Sequence, residues 1–305
     1  MLLLILRSYV HSLFSSSPFP INPQSLLGYL LASTIALAGY RVGALTVGGA
    51  VAACIVGGTI FSFGGLAWAG LLLAFFVSSS ALSFAKASDA RKLEAAKTFE
   101  KGGKRDAAQV LANGGVAAFI SLLAPIATPL LFSVYAGALA AATADTWATE
   151  IGVLSKRPPR LITTGKMVPA GTSGGITLLG TGASAAGALF LGIIAAILSV
   201  LPIFPNIADQ SHTGSALASF LGALFGGFAG SLADSLLGAT LQASYWCPTC
   251  QLAVESRIHT CGSTTHPIKG LSWLNNDFVN LLATGVGAGT AALVVWWFGG
   301  LVSVQ

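Results

Sequence analysis

Acidic residues are scarce in this chain. There are ten Asp and Glu among 305 residues, and none precedes Asp89. Charged residues of both signs make up 8% of the total, against about 25% in a soluble domain, which excludes an ordinary water-soluble fold. Cysteine is limited to four residues, too few for a disulfide scaffold in a chain this long. Alternating hydrophobicity is also lacking: the apolar runs are continuous, which excludes a β-barrel. The net charge of +5 is read as a signal of membrane orientation, with no nucleic-acid partner expected.

What is present is apolar and small. Hydrophobic residues form 54% of the chain, and there are 37 Gly. In lipid no hydrophobic drive pulls helices together, so small residues that allow close backbone approach dominate their contacts. The expected fold is all-α, a polytopic transmembrane helix bundle. Spans need about 20 apolar residues, and about eight are read, at 24–40, 43–62, 64–84, 107–124, 128–151, 174–200, 214–243 and 277–299. The second and third are joined so tightly at Phe61–Gly65 that they form a hairpin. Residues 1–23 form a separate N-terminal segment, either interfacial or a targeting signal. Residues 24–305 form one transmembrane domain.

Every Lys and Arg except Arg7 falls in alternate connections, at Arg41 and in loops 85–106, 152–173 and 244–276. The positive-inside rule makes that side cytoplasmic. Residues 86–105 read as a basic helix, either solvated beside lipid headgroups or forming a wall that attracts a phosphorylated substrate.

Several of the rare acids lie where they cost most. Asp145 and Glu150 sit near the end of the fifth span, Asp234 near the end of the seventh, and Asp277 opens the eighth. A carboxylate at bilayer depth costs about 3 kcal/mol or more unless solvated, paired or metal-bound. Few bases lie inside the spans to pair with them for packing alone. Asp145 and Asp234 are about two turns from their helix ends, roughly 9–14 Å below the basic surface. Two Ala-Asp-[Thr/Ser] segments and two amide-bearing segments, Asp106–Asn113 and Asp277–Thr284, resemble each other in pairs. This reads as a partial internal duplication, with chance similarity among Ala/Gly-rich helices as the alternative.

The loop after the fifth span places Lys156, Arg160 and Lys166 ahead of Gly171-Thr172-Ser173-Gly174-Gly175. Backbone N–H groups of a Gly-rich turn at a helix N-terminus suit phosphate, although this is no Walker motif. Carboxylates for Mg²⁺ at Asp145, Asp234 and Asp277, with bases and amides for phosphate, are the parts of phosphoryl transfer. Asn113, Asn276 and Asn280 add amides on the same side.

Asp145-Thr-Trp-Ala-Thr-Glu150-Ile-Gly, Pro-Arg160-Leu-Ile-Thr-Thr, Val-Pro-Ala-Gly171-Thr-Ser-Gly-Gly, Asp234-Ser-Leu-Leu-Gly-Ala and Leu274-Asn-Asn-Asp277-Phe-Val-Asn280 resemble one integral-membrane family. That family includes vertebrate transmembrane protein nineteen and the plant phytyl-phosphate kinase of tocopherol synthesis. The resemblance runs from about residue 25 to the C-terminus. It implies a kinase that converts an isoprenoid monophosphate to the diphosphate with CTP, ATP or another nucleotide. The positions carried over are Asp145, Glu150, Arg160, Gly171, Gly174, Gly175, Asp234, Asn276, Asp277 and Asn280. A transporter or scramblase of a lipid phosphate or ion is the alternative, since intramembrane acids and repeats also serve coupled transport. The endoplasmic reticulum is the expected membrane, with the plastid envelope or a bacterial inner membrane as alternatives.

Outside that resemblance, Cys247, Cys250 and Cys261 form a C-x2-C-x10-C pattern with His259 and His266 nearby. This fits a Cys₃His zinc site with either histidine as fourth ligand; free thiols or a disulfide are the other readings. Cys54, Trp147, Trp273, Trp296 and Trp297 read as packing or interfacial residues.

Overall fold

The computed structural model describes residues 23–85, 89–98, 103–126, 130–201 and 212–302. The N-terminal segment, apart from its last residue, lies outside the described residues, as do Lys86, Lys101 and Asp209. A helix stands at each of the eight expected spans. They are α1 (Pro23–Arg41), α2 (Val47–Gly64), α3 (Leu66–Phe84), α5 (Ala107–Ser121), α6 (Leu130–Gly152), α7 (Leu178–Val200), α8 (His212–Thr240) and α9 (Asn276–Val302). α2 and α3 form the expected hairpin, hinged at Gly65, whose φ of +78° favours a residue without Cβ.

The count of eight spans needs correction. Among the described residues five helices are long and apolar enough to cross a membrane: α2, α3, α7, α8 from Ala216 and α9 to Trp297. α5 has 15 residues, which reach about 22 Å and fall short of a hydrocarbon core of about 30 Å. α1 is diluted by Gln24, Ser25, Ser33, Thr34 and Arg41. α6 is long, but its residues 135–144 are buried without a break. A helix enclosed by protein on all sides meets other helices instead of lipid, so it needs little hydropathy. α6 is therefore the axis of the bundle, touched by α3, α5, α7, α8 and α9.

The innermost contact is backbone on backbone. A Cβ on Gly226 of α8 would come within 2.5 Å of the carbonyl oxygen of Gly287 on α9, and one on Gly137 of α6 within 2.7 Å of the same atom. Above and below, Gly222 faces Ser133 and Gly230 faces Ala141. These pairs advance by four residues on both helices, so α6 and α8 run parallel in fixed register. One more step along that register pairs Asp234 with Asp145. α5 joins α9 through Thr284, whose Oγ1 donates to the Ala112 carbonyl at 3.3 Å.

The connections that hold the basic residues pack on one another at one end. Thr46 N–H donates to Arg105 O at 3.0 Å and Arg105 N–H to Ala44 O at 2.9 Å. Thr98 Oγ1 donates to Gly171 O at 3.0 Å, and Glu255 N–H to Thr98 O at 3.1 Å. The helix expected over 86–105 is limited, among the described residues, to α4 (Ala90–Ala96). Loop 152–177 carries the strand pair β1 (Arg160–Leu161) and β2 (Gly175–Ile176). Loop 241–275 carries a small sheet ordered β4 (Leu252–Val254), β3 (Ser244–Cys247), β5 (His266–Lys269). Lys269 Nζ donates to the Gly238 carbonyl at 2.7 Å, placing a cation on the last turn of α8.

Gly226→Ala is expected to lower stability by about 1–3 kcal/mol through overpacking. Gly285→Ala, where a Cβ meets open space, is expected to be neutral or stabilising. Thermal unfolding in detergent checks the contrast.

Candidate functional site

Where α6 and α8 reach the basic end, the register of their small residues brings the carboxyl groups of Asp145 and Asp234 within hydrogen-bonding reach of each other. Both residues are half-buried. Oδ2 of Asp234 is buried and has no hydrogen-bond partner among the described residues. Two like charges this close require a proton or a cation between them. The pair lines a cavity of about 1030 Å³ open to the basic end.

The structure brings most of the expected residues to that cavity. Asn113, Asp145, Glu150, Lys156, Asp234, Asn276 and Asn280 line it, together with the turn from Gly171 to Gly175. Three do not. Arg160 is exposed on β1, and its Nη1 donates to Gly165 O at 2.9 Å. Lys166 is exposed in the turn beyond. Pairing of β1 with β2 carries both away from the carboxylates. Asp277 lies in the first turn of α9, where its neighbours Asn276 and Asn280 line the cavity and it does not.

The Gly-rich turn also departs from expectation. It does not open α7 directly, because β2 intervenes and Thr177 caps the helix by accepting from Gly180 N–H at 2.9 Å. Gly175 N–H is spent on Thr172 O at 2.9 Å and Thr172 N–H on Pro169 O at 3.3 Å. The glycines serve close approach instead: at Gly174, with φ +81°, a Cβ would strike Ala239 of α8.

Glu150 has partners for both oxygens. Ser83 Oγ donates to Oε1 at 2.6 Å, and Lys92 Nζ to Oε2 at 2.7 Å. Lys92 also donates to Leu82 O at 2.9 Å and Ala85 O at 2.8 Å. It thus caps the C-terminus of α3 and ties α4 to α6.

Sequence reasoning missed several charged cavity residues as individuals, among them Arg105, Arg157 and Glu255. Arg105 lies against the rings of Phe75 and Phe76, 5.6 and 5.8 Å from their centroids. Burial pulls its pKa below the ordinary value, opposed by Glu150. Glu255 accepts from Ser173 Oγ at 2.9 Å and from Gln242 Nε2 at 2.8 Å. The scarcity of acids, followed into the cysteine loop, would have flagged it.

In that loop the structure gathers Cys247, Cys250, Cys261 and His259, with one ligand atom of each within 4.8 Å of all the others. His266 lies on β5 opposite Trp246 and is not among them. The hydroxyl and backbone of Ser263, then His259, hold the Cys261 thiol down to about 6, whereas Cys261 and Cys247 push Cys250 up to about 11. Trp147 stacks on Phe190 at 5.3 Å, and Ser33 Oγ lies 3.1 Å from Cys54 Sγ, whereas Trp273, Trp296 and Trp297 are exposed.

Residues 30–288 match the integral membrane protein family DUF92. The chain belongs to that family. It is 32% identical to Protein PGR of Arabidopsis thaliana over 86% of this chain and 93% of the relative. It is also 32% identical to an uncharacterized membrane protein of Methanocaldococcus jannaschii, over 81% and 84% of the two chains. Identity to Protein VTE6, chloroplastic, of Arabidopsis thaliana is 26% over 89% and 70%. No solved structure matches.

The Glu150–Lys92 pair yields an asymmetric expectation. Lys92 and Glu150 side chains are 10% and 23% exposed. Lys92→Met leaves the carboxylate hydrogen-bonded only to Ser83 and should cost about 3 kcal/mol. Glu150→Gln leaves the ammonium its two carbonyls and should cost less. Unfolding midpoints of the two variants check the order.

Proposed function

We propose that the chain is a membrane phosphotransferase, moving a phosphoryl group from CTP or ATP to a lipid monophosphate of the isoprenoid type. The observation that carries this reading is the Asp145–Asp234 pair, with its unpartnered buried oxygen, at the base of a cavity that Arg105, Lys156 and Arg157 also line. Membership of DUF92 and the resemblance to plant phytyl-phosphate kinase support it. The basic end would face the cytoplasm.

Carboxylate oxygens are the ligands Mg²⁺ takes, and the orphaned Oδ2 of Asp234 fits such an ion. Mg²⁺ held by Asp145 and Asp234 would offset the charge of the phosphates as they approach. Arg105, Lys156 and Arg157 would bind phosphate oxygens, and the amides of Asn113, Asn276 and Asn280 would orient them. Phe228 and Leu232 of α8 give the cavity an apolar wall along which a lipid tail would leave. Glu150 acts as a positioning residue, holding Lys92 and with it α4. In the transfer, the bond between the terminal phosphorus and the nucleoside diphosphate breaks, and a bond from that phosphorus to an oxygen of the lipid monophosphate forms. The acceptor is already an anion near neutral pH, so no dedicated base is required.

The test is purified protein with radiolabelled CTP or ATP and a panel of isoprenoid monophosphates, with Mg²⁺ or with chelator. Lipid diphosphate is expected only with the metal. Asp145→Asn and Asp234→Asn should each lower the rate about 10²-fold or more, while Lys166→Ala, outside the cavity, should leave it nearly unchanged. Full activity in both Asp variants overturns the reading. Lipid-phosphate flux in proteoliposomes without nucleotide would establish a transporter instead.

A further inference from the structure

We infer that Cys247, Cys250, Cys261 and Nδ1 of His259 form a structural zinc site that fastens the 244–271 segment to the basic segment over the mouth of the cavity. The inference does not depend on the phosphotransferase reading, because its test measures metal and loop order.

Zn–S bonds of about 2.3 Å in a tetrahedron place sulfur atoms about 3.8 Å apart, and S–N edges are slightly shorter. Cys247 Sγ and Cys261 Sγ lie 3.6 Å apart. His259 Nδ1 lies 3.2 Å from Cys261 Sγ. These are the edges of a four-coordinate site, and all four ligand atoms fall within 4.8 Å.

The surroundings orient the ligands. His259 Nε2 lies 3.0 Å from the Lys97 carbonyl. That carbonyl can only accept, so the ring proton sits on Nε2 and the Nδ1 lone pair is left for the side of Cys261 Sγ. A histidine ligand whose other nitrogen donates to a backbone carbonyl is the ordinary outer-shell arrangement of zinc sites. Cys250 N–H points at Cys247 Sγ, 3.5 Å away, the kind of donor a thiolate ligand uses. Left-handed backbone at Gln251, φ 52°, and Gly262, φ 85°, makes the tight turns that follow Cys250 and Cys261.

The sheet β4-β3-β5 has strands of three to four residues. Its core is Ala243, Tyr245, Cys247 and Val254, with Leu252 against them. So little apolar surface does not order a three-stranded sheet without a staple, and zinc supplies one outright. A disulfide would use only two of the three thiols and leave the histidine without a role.

The clip has reach. Lys97 and Thr98 follow α4, and Glu255 N–H is bonded to Thr98 O. Glu255 in turn accepts from Ser173 of the Gly-rich turn. One ion would therefore hold the cysteine loop, α4 and the 171–175 turn as a single lid around the cavity.

The experiment is metal analysis of the full chain purified in detergent without added zinc. About one Zn²⁺ per chain is expected, and Co²⁺ exchanged into the site should give the thiolate charge-transfer and d–d bands of a tetrahedral centre. Cys250→Ser and His259→Gln should lose the metal, while His266→Gln and Cys54→Ser should keep it. Chelator-stripped wild-type protein should be cleaved within 244–271 about tenfold faster or more by protease, with helical circular dichroism retained, so the result stands even if a variant fails to fold. Wild-type protein without bound metal, a loop disulfide in the unreduced protein by mass spectrometry, full metal in Cys250→Ser, or unchanged proteolysis after stripping would each overturn the proposal.

Discussion

The approach of three backbones at Gly137, Gly226 and Gly287 is the constraint from which the rest follows. Lipid gives apolar helices no reason to prefer one another, so contact must come from close fit. Where three helices meet without side chains between them, van der Waals contact is dense and the register has little freedom to slip. α6 can then be alanine-rich and only mildly apolar, because α7, α8 and α9 shield it from lipid. Above the glycines, the parallel run of α6 and α8 puts two carboxylates face to face, an arrangement that sheer proximity would otherwise resist.

A second layer depends on that first one. The ends of α3, α6 and α8 expose carbonyls and acids that need cations. Lys92 answers at α3 and Glu150, and Lys269 at α8. These lysines are anchors, and by spending their charge on the frame they leave Arg105, Lys156 and Arg157 for the cavity. The distinction between structural and available charge explains why connections that read as uniformly basic behave as two populations.

Much of this could be read from the sequence. The helical hairpin at Gly65, the convergence of Asp145 and Asp234 and the grouping of three cysteines all follow from spacing and from the cost of burying charge. Other parts could not. Hydropathy cannot tell a helix in lipid from one wrapped in protein, so the enclosure of α6 by its neighbours is not legible in its composition. Arg160 and Lys166 looked like phosphate ligands because they precede a Gly-rich turn, but a two-residue strand pairing, too short to leave a periodic signal, turns them outward. Glycine has several uses, and at Gly174 the need was contact with Ala239 rather than amides for an anion. The choice between His259 and His266 rests on the fold of the loop, which brings His259 to the three cysteines and sets His266 on β5 opposite Trp246.

The four-residue step that aligns α6 with α8 makes the Asp pair a matter of phase as well as identity. Asp234 faces Asp145 because it lies whole steps of four beyond Gly222, Gly226 and Gly230. One residue inserted within that stretch would rotate Asp234 about 100° around the helix axis, aiming its carboxylate at a neighbouring wall while every amino acid in the motif stayed the same. The spacing from Gly222 to Asp234 is thus as much a part of the site as the acid, and a duplicated or recombined chain could keep the site only by copying that stretch whole.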